Sequence, residues 1–287
     1  MLNLKVTMLQ PTKEQLLKLS WIERFSYKSA NWFNCNLKEP FIWWNRIFMF
    51  SLIWLGLSRR LFVHGLDNIK DLDRTSSVVI AANHRTFFDF FVITWVNYTY
   101  TKFPRRIFFP VRSKFFYDTL IGTFLNGIMG GFAMFPPIMR EEKKKHFNRF
   151  ALDRLVNELE TKPAVVGFHP EGRRNKDPNP YELLPARPGI GEIILRSNQI
   201  TTVPVFIIGP TNNVLLDFWR NWFSPQKYPI HVRYGKPISK DELSELSAAQ
   251  KDDHLKASEL CMSRIQKLMI QHKNELSIDS KQTKADH

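Results

Sequence analysis

Cysteine is scarce in this chain, with only Cys35 and Cys261 among 287 residues. A pair so far apart in sequence forms neither a disulfide framework nor a C-x-x-C metal or redox site. This usage is typical of a reducing compartment such as the cytosol. The histidines are scattered, and the H-E-x-x-H spacing of zinc enzymes does not occur, so the sequence predicts no metal.

Signatures of other enzyme classes are missing as well. The chain has no G-x-S-x-G, which disfavours a serine hydrolase with a nucleophile elbow. It has no P-loop, and Gly189–Gly191 is only a fragment of the dinucleotide-binding G-x-G-x-x-G. The cleanest apolar run, Ile47–Leu57, amounts to about 11 residues, or roughly 16 Å of helix against a hydrocarbon core of roughly 30 Å. A complete membrane span is therefore not expected.

Positive charge and aromatic side chains, by contrast, are abundant. The net charge is +14, and the chain contains 24 Phe and 8 Trp. Such a charge favours an anionic partner, which a membrane leaflet, a nucleic acid or an acidic carrier protein could each provide. Tryptophan suits the membrane interface, because its ring is apolar and its N–H is polar.

Residues 1–58 are predicted to form a membrane-interfacial two-helix element. An amphipathic helix is expected over Lys13–Phe33, with Leu17 on its apolar face. Glu39–Pro40 is expected to end it, and the apolar stretch Phe41–Leu57 follows as the second helix. The alternative is a core helix that packs on the main domain. The aromatic side chains expected to anchor the element in lipid are Trp21, Phe41, Trp43, Trp44 and Trp54.

Residues 59–238 are predicted to form an α/β domain. Short apolar runs alternate there with longer helical patterns, which predicts a mostly parallel sheet flanked by helices. Residues 239–287 are predicted to be a C-terminal helical segment with a frayed polar tail from Ser277. The runs expected as strands are Leu61–Val63, Ser77–Ala82, Ile107–Val111, Ala164–Phe168, Thr202–Ile208 and Ile230–Val232.

Polar clusters directly follow two of these runs. His84 and Asp89 come after the second run in an H-x4-D spacing, and a histidine beside a carboxylate can act as a general base. Glu171–Arg174 follows the fourth run; its Gly172 permits a tight turn, and its two guanidinium groups can clamp a phosphate. Because ligands bind at the carboxyl ends of parallel strands, both clusters are expected to face one crevice. Taken alone, the first could be a capping or surface histidine and the second a charged turn.

Three motifs in a fixed order resemble those of the glycerolipid acyltransferase family, the bacterial lysophosphatidic acid acyltransferases especially. Asn83–Asp89, NHRTFFD, is similar to the family's N-H-x4-D motif, and His169–Arg174, HPEGRR, is similar to F-P-E-G-T-R. Val203–Val205 matches V-P-V and is expected to have a structural role, lining the acyl side of the site. The resemblance covers roughly Leu61–Lys236. It implies an αβ sheet flanked by helices, with an N-terminal two-helix element that touches the bilayer.

The resemblance also implies roles for individual residues. His84 would take the proton from a lysophospholipid hydroxyl, and Asp89 would orient and charge-stabilise His84. The hydroxyl oxygen would then attack an acyl thioester directly, without an acyl-enzyme. Glu171, Gly172 and Arg174 would bind the glycerol phosphate of the acceptor.

The chain departs from the family pattern at several positions. Arg173 stands where the family has Thr, and His169 stands where it has Phe; the extra positive charge leaves the acceptor headgroup open. The family's glycine-to-arginine motif is poorly kept in Gly130–Arg140. The further basic residues expected to contribute to substrate binding are Arg140, Arg187, Arg112 and Lys114.

The sequence therefore predicts a membrane-associated O-acyltransferase at the cytoplasmic face of a membrane, the inner membrane if the source is bacterial. It would move an acyl chain from coenzyme A or acyl carrier protein, as co-substrate and without a cofactor, to 1-acylglycerol-3-phosphate, giving phosphatidic acid. Another lysophospholipid or a lyso-aminolipid is the near alternative acceptor, and no nucleic acid partner is expected. The alternative of another class is a non-catalytic basic module that binds anionic membranes or nucleic acid.

Overall fold

The structure is a computed structural model that describes residues 9–285. Its centre is a six-stranded sheet, and a second sheet has two parallel strands. In chain order the strands are β1 (Leu61–His64), β2 (Ser77–Ala82), β3 (Ile107–Phe108), β4 (Val111–Arg112), β5 (Pro137–Ile138), β6 (Val165–Phe168), β7 (Ile200–Ile208) and β8 (Ile230–Tyr234).

The large sheet has the strand order β1-β8-β7-β2-β6-β3. Neighbouring strands run parallel, except that β8 is antiparallel to β7. Every residue of β2 is buried, as expected for a strand covered on both faces by helices. The predicted α/β class with a mostly parallel sheet is thus confirmed.

One predicted strand is divided in the structure. The run Ile107–Val111 contributes β3 to the large sheet, but pairing there ends at Phe108. Pro110 follows and has no N–H to donate to a ladder. Val111 then pairs with Pro137 in the small sheet, made of β4 and β5.

Helices lie between most of the strands and on both faces of the large sheet. In chain order they are α1 (Lys13–Leu17), α2 (Trp21–Asn36), α3 (Lys38–Leu57), α4 (Asp89–Tyr100), the kinked α5 (Ser113–Phe116), α6 (Leu120–Gly130), α7 (Lys145–Thr161), α8 (Gly189–Arg196), α9 (Val214–Phe223) and α10 (Lys251–Ala285). The side chains of β8 alternate between the two faces of the sheet, so their contacts show which helix covers each face. The hydroxyl of Tyr234 donates to Asn97 of α4 at 2.9 Å, whereas the ring of His231 packs 4.5 Å from that of His272 on α10. Helix α8 contacts both α10 and α7, and α3 packs on α4.

The amphipathic helix expected over Lys13–Phe33 is two helices, and that prediction was wrong about its continuity. Ser20 starts α2 with a capping box. Its Oγ accepts from Glu23 N at 3.2 Å, and Glu23 Oε2 accepts from Ser20 N at 2.8 Å. Local hydrogen bonding at Ser20 therefore competes with a continuous helix. Residues 1–8 of the predicted two-helix element lie outside the described residues.

The second helix is longer than its sequence suggests. The break predicted at Glu39–Pro40 falls at Leu37, and Pro40 lies in the first turn of α3, where backbone N–H groups lack intrahelical partners anyway. Within residues 9–285, Lys38–Arg60 is long and apolar enough to cross a membrane by length and composition. The apolar part expected to be about 11 residues is thus embedded in a 20-residue helix.

The C-terminal segment is helical, as predicted. Ser239 and Glu242 form the expected capping box, but it starts only the single turn Asp241–Leu243. Helix α10 begins at Lys251 and continues to Ala285, through most of the segment that was predicted to be frayed. Residues 286 and 287 lie outside the described range, and the domain boundaries stay predictions.

Candidate active site

The candidate site lies at the carboxyl ends of β2, β6 and β7 in the middle of the large sheet. Asn83, which is fully buried, closes the end of β2 against β7 with its side chain. Its Nδ2 donates to Ile207 O at 2.9 Å, and its Oδ1 accepts from Ile207 N at 2.8 Å. This two-bond closure fixes the point at which the chain leaves the sheet, and His84 is the next residue.

His84 and Asp89 form a hydrogen-bonded pair, as the H-x4-D spacing indicates. His84 Nδ1 lies 3.0 Å from Asp89 Oδ2. Asp89 is the first residue of α4, so the turn between β2 and α4 brings the two side chains together. With Nδ1 engaged, Nε2 is the nitrogen left to accept a proton in the cavity that His84 lines. The pair has the geometry of a general base and its orienting carboxylate.

Asp89 is held as a buried carboxylate, with 1 % of its surface exposed. Its Oδ2 also accepts from Arg85 N at 2.7 Å and Thr86 N at 2.8 Å, and its Oδ1 accepts from Thr86 Oγ1 at 2.7 Å. Burial by itself would raise the pKa of Asp89, but the bonds from His84 and Thr86 outweigh it, and the pKa lies below its ordinary value. The N-terminus of α4 also favours a negative charge at this position.

The ring of His169 stacks on that of His84. The two rings lie parallel, with centroids 3.9 Å apart and an interplanar angle of 3°. Burial, reinforced by neighbouring His84, lowers the pKa of His169 to about 3, so the ring is neutral near pH 7. Its Nδ1 donates to Ala82 O at 2.9 Å, which fixes the ring over His84. The family resemblance marked this position only as a departure from Phe.

Glu171 supports the backbone around His84. It is buried, and Oε1 accepts from His84 N at 2.8 Å while Oε2 accepts from Leu184 N at 3.2 Å. Burial raises the pKa of Glu171 to about 7, although both N–H bonds work against this shift. Its place in the structure ties the base to the segment that follows the motif; direct binding of glycerol phosphate by Glu171 stays a prediction.

Four arginines form a cluster of positive charge near the base: Arg112, Arg140, Arg173 and Arg174, here called the arginine cluster. Burial and the nearby charges of Arg140, Arg174 and Arg173 together lower the pKa of Arg112. Arg112 Nη2 donates to Gly172 O at 3.0 Å, which joins β4 to the turn after β6. Like charges this close repel one another, so an anion bound among them would relieve the repulsion.

The remaining predicted substrate-binding residues lie around the same turn. Gly172 has φ +64° and donates to His169 O at 2.9 Å, a backbone conformation that side chains rarely adopt. Arg187 N donates to Pro170 O at 2.8 Å, and its Cγ lies beside Gly172. Lys114 lines the cavity from the kinked helix α5. The structure therefore brings these residues to one region, and their contacts with substrate stay predictions.

A cavity of about 400 Å³ lies between His84 and three members of the arginine cluster. Its mouth carries His84, Arg112, Lys114, Arg173 and Arg174. Its other wall is apolar and is made by Phe87, Phe90, Phe109, Val111, Phe116, Met134 and Ile138. A cavity with a cationic mouth and an apolar wall fits an amphiphile that carries an anionic group and an acyl chain.

Sequence reasoning missed several parts of this site. Thr86 and Asn83 lie inside the motif NHRTFFD, but their buried hydrogen bonds were not predicted: Thr86 bonds to Asp89, and Asn83 bonds to β7. Asn212, beyond β7, accepts from Phe87 N at 2.9 Å and from Arg174 Nη1 at 3.2 Å. The apolar wall comes from three separate chain segments, so it has no local sequence signal.

The predicted membrane anchors differ in exposure. Trp21, Trp43, Trp44 and Trp54 are all exposed large apolar side chains. Phe41 instead packs inward, with its ring 4.8 Å from that of Phe33. Their contact with lipid stays a prediction.

The family model described as Acyltransferase matches residues 60–208, just over half of the chain. The matched region contains His84, Asp89 and the whole arginine cluster. No curated protein was found to match the chain. The chain belongs to the acyltransferase family.

Proposed function

We propose that this acyltransferase is membrane-associated and moves an acyl chain from a thioester to the free hydroxyl of a lysophospholipid, with 1-acylglycerol-3-phosphate as the principal acceptor. The observation that carries the proposal is the cavity, which combines a histidine base, a cationic mouth and an apolar wall. A soluble polar acceptor would need no apolar wall, and an uncharged lipid would need no arginine cluster.

The His84–Asp89 geometry supports the following proposed reaction. His84 Nε2 takes the proton of the acceptor hydroxyl while Asp89 holds Nδ1 and stabilises the imidazolium. The hydroxyl oxygen attacks the thioester carbonyl, and the C–S bond breaks as the tetrahedral intermediate collapses. His84 then returns the proton to the departing thiolate, so the base is regenerated and no acyl-enzyme forms.

The acceptor is proposed to bind with its phosphate among the arginines and its acyl chain along the apolar wall. Arg112 and Arg174 line the mouth, and a guanidinium group can bind a phosphate through two parallel hydrogen bonds. The phenyl rings of the wall, such as Phe116 and Phe109, offer apolar surface of the kind that buries an alkyl chain. Coenzyme A or acyl carrier protein would supply the thioester, and both are anionic, in keeping with a net charge of +14.

A second acceptor class is kept open by Arg173, which lines the mouth beside Arg174. Its extra charge favours a lysophospholipid with a larger or more anionic headgroup than a simple glycerol phosphate. Lysolipids that share one acyl chain and differ only in headgroup separate these acceptors.

The test measures thiol release by the purified wild type and His84→Ala, with palmitoyl-coenzyme A and 1-acylglycerol-3-phosphate, and identifies the product lipid by mass. We expect phosphatidic acid from the wild type and loss of turnover in His84→Ala. A matched control is His146→Ala, which changes an exposed histidine on α7 and should leave turnover unchanged.

Turnover by His84→Ala at the wild-type rate would end the proposal. If the wild type is inactive, acyl carrier protein thioesters and other lysolipids are tested next. Failure with all of these would favour the non-catalytic module that binds anionic membranes, whose binding should weaken steeply with salt.

A further inference from the structure

Helix α9 presents an apolar surface to the outside of the protein. Leu215 is 81 % exposed and Phe223 is 70 % exposed. Leu215, Phe218, Trp219 and Phe223 stand at positions i, i+3, i+4 and i+8, which lie on one face of a helix. The exposed apolar side chains of α9 are Val214, Leu215, Leu216, Phe218, Trp219 and Phe223.

The opposite, buried face of α9 is polar. Asp217 is 3 % exposed and pairs with fully buried Arg60, Oδ1 to Nη1, at 2.8 Å. Asn221 is fully buried and accepts from Arg59 N at 2.9 Å, while its Nδ2 donates to Leu55 O at 2.9 Å. A surface helix of a water-soluble protein has the reverse arrangement, apolar inward and polar outward. The outward face of α9 is therefore suited to an apolar environment.

The apolar face of α9 continues the exposed surface of α3. The rings of Trp54 and Trp222 meet edge to face at 6.1 Å. Leu55 O also accepts from Trp222 Nε1 at 2.8 Å. Because α3 is the helix long and apolar enough to enter a membrane within residues 9–285, a bilayer that takes up α3 also meets α9.

Cationic side chains flank this surface. Arg220 lies in the last turn of α9 with its guanidinium 4.0 Å from the ring centroid of Tyr228, and Arg59 lies 5.4 Å from that of Trp222. Lys227 follows in the next turn. Apolar and tryptophan side chains bordered by Lys and Arg are typical of helices that lie in the interface of an anionic membrane.

We propose that α9 is a second membrane-binding element, lying in the headgroup region of an anionic bilayer beside α3. The start of α9 is tied to the cavity through Asn212, which bonds to Phe87 N and to Arg174. Docking α9 therefore holds Arg174, which lines the cavity, near the bilayer surface, where a lipid substrate arrives. The proposal concerns membrane contact alone. Helix α9 can therefore fail to bind membranes while acyl transfer is confirmed, and it can bind membranes while the proposed acyl transfer is refuted.

The experiment places an environment-sensitive fluorophore at single cysteines in the full chain. The background is Cys35→Ser, because Cys261 is buried and Cys35 is exposed. Leu215→Cys and Phe223→Cys report on α9, Ile47→Cys reports on α3, and exposed Lys162→Cys at the end of α7 is the control. Vesicles of phosphatidylethanolamine and phosphatidylglycerol are added, with and without lipids brominated in their acyl chains.

We expect a blue shift and bromine quenching at both α9 positions and no change at Lys162→Cys. Unchanged emission from both α9 labels would overturn the proposal, whether or not Ile47→Cys responds. In that case a protein partner or a second copy of the chain would be the occupant of the apolar face.

A second variant tests the strength of the contact. The triple change Leu215→Ser, Trp219→Ser and Phe223→Ser leaves the buried Asp217–Arg60 pair intact, and we expect it to weaken vesicle partitioning by about 30-fold. Its matched control replaces three exposed apolar residues of α10 by serine: Leu255, Ile270 and Leu276. Equal partitioning of the two triple variants would contradict the proposal.

Discussion

Replacing Asp89 by asparagine removes the negative charge beside His84 and changes little else. The two side chains have the same shape, and the hydrogen bonds decide how asparagine would be oriented. Arg85 N and Thr86 N both donate to the Oδ2 position, so the amide oxygen must take that place. The amide NH₂ then faces Thr86 Oγ1, which can accept. His84 Nδ1 still finds an oxygen to donate to, so its orientation is kept.

The expected loss of rate comes from the imidazolium that forms when His84 takes the proton. Nδ1 and Oδ2 are 3.0 Å apart, which sets the charge centres about 4 Å apart; at an effective dielectric constant near 20 their attraction is about 4 kcal/mol. Because each 1.36 kcal/mol is a factor of ten, we expect kcat to fall about 10³-fold. The KM for the acceptor should stay within about twofold, since Asp89 is buried behind His84 and the change acts in the transition state.

The assay is thiol release at saturating acyl donor, with the acceptor concentration varied, together with thermal melting of both proteins. Asp73→Asn makes the same chemical change on an exposed loop residue and should behave as the wild type. If Asp89→Asn melts as the wild type does and keeps kcat within about threefold, the charge on Asp89 is not used in catalysis and the proposed base is wrong.

Three further predictions follow from the same contacts. Arg112→Gln should raise the KM for a phosphate-bearing lysolipid about 10- to 100-fold and leave the KM for the thioester unchanged, as measured by varying each substrate in turn. If the lysolipid KM is equal in wild type and variant, Arg112 does not bind the acceptor. The folded pKa of Glu171, about 7, lies above its ordinary value of 4.5, so the stability it contributes is complete below about pH 4.5 and is lost as pH rises through 7. In urea unfolding, the free energy of unfolding of the wild type should fall by up to about 3 kcal/mol more than that of Glu171→Gln between pH 5 and 8. Identical dependence on pH in the two proteins would refute the raised pKa of Glu171. Arg60→Met breaks a buried ion pair and should cost about 3–5 kcal/mol of unfolding free energy, part of which Asp217→Asn should restore; an additive loss in the double variant would contradict the pairing.

The strands could be predicted well because each is short, apolar and bounded by polar or proline residues. The run Ser77–Ala82 is strand β2 at both ends, and five of the other predicted runs overlap strands of the large sheet. The small sheet could not be predicted. Val111 ended a run that was predicted as one strand of the large sheet, and its pairing with Pro137 depends on a tertiary contact for which the sequence has no pattern.

In the site, too, contacts between residues near in sequence could be predicted and contacts between distant segments could not. His84 and Asp89 are brought together by one turn after β2, so their spacing and their place directly after a predicted strand together predicted the pair. The position of Glu171, by contrast, depends on two backbone N–H groups from distant segments, His84 and Leu184. Sequence placed a carboxylate near the site, but only the tertiary structure shows it bonded to backbone beneath the base.

Sequence is least informative for amphipathic helices, because hydrophobic periodicity defines two faces without saying which of them packs on the protein. In α2 the exposed side chains include Trp21 and Phe25, while the buried Ser26 accepts from Thr123 Oγ1 at 2.5 Å. Helix α9 repeats this order with buried Asp217. Polar contacts hold the buried side of α9 in place, whereas α2 also buries Tyr27 and Ala30 in the core. A hydrophobic pattern alone does not say whether such a face meets the core, whereas the buried Asp217–Arg60 pair shows that the apolar face of α9 points away from it.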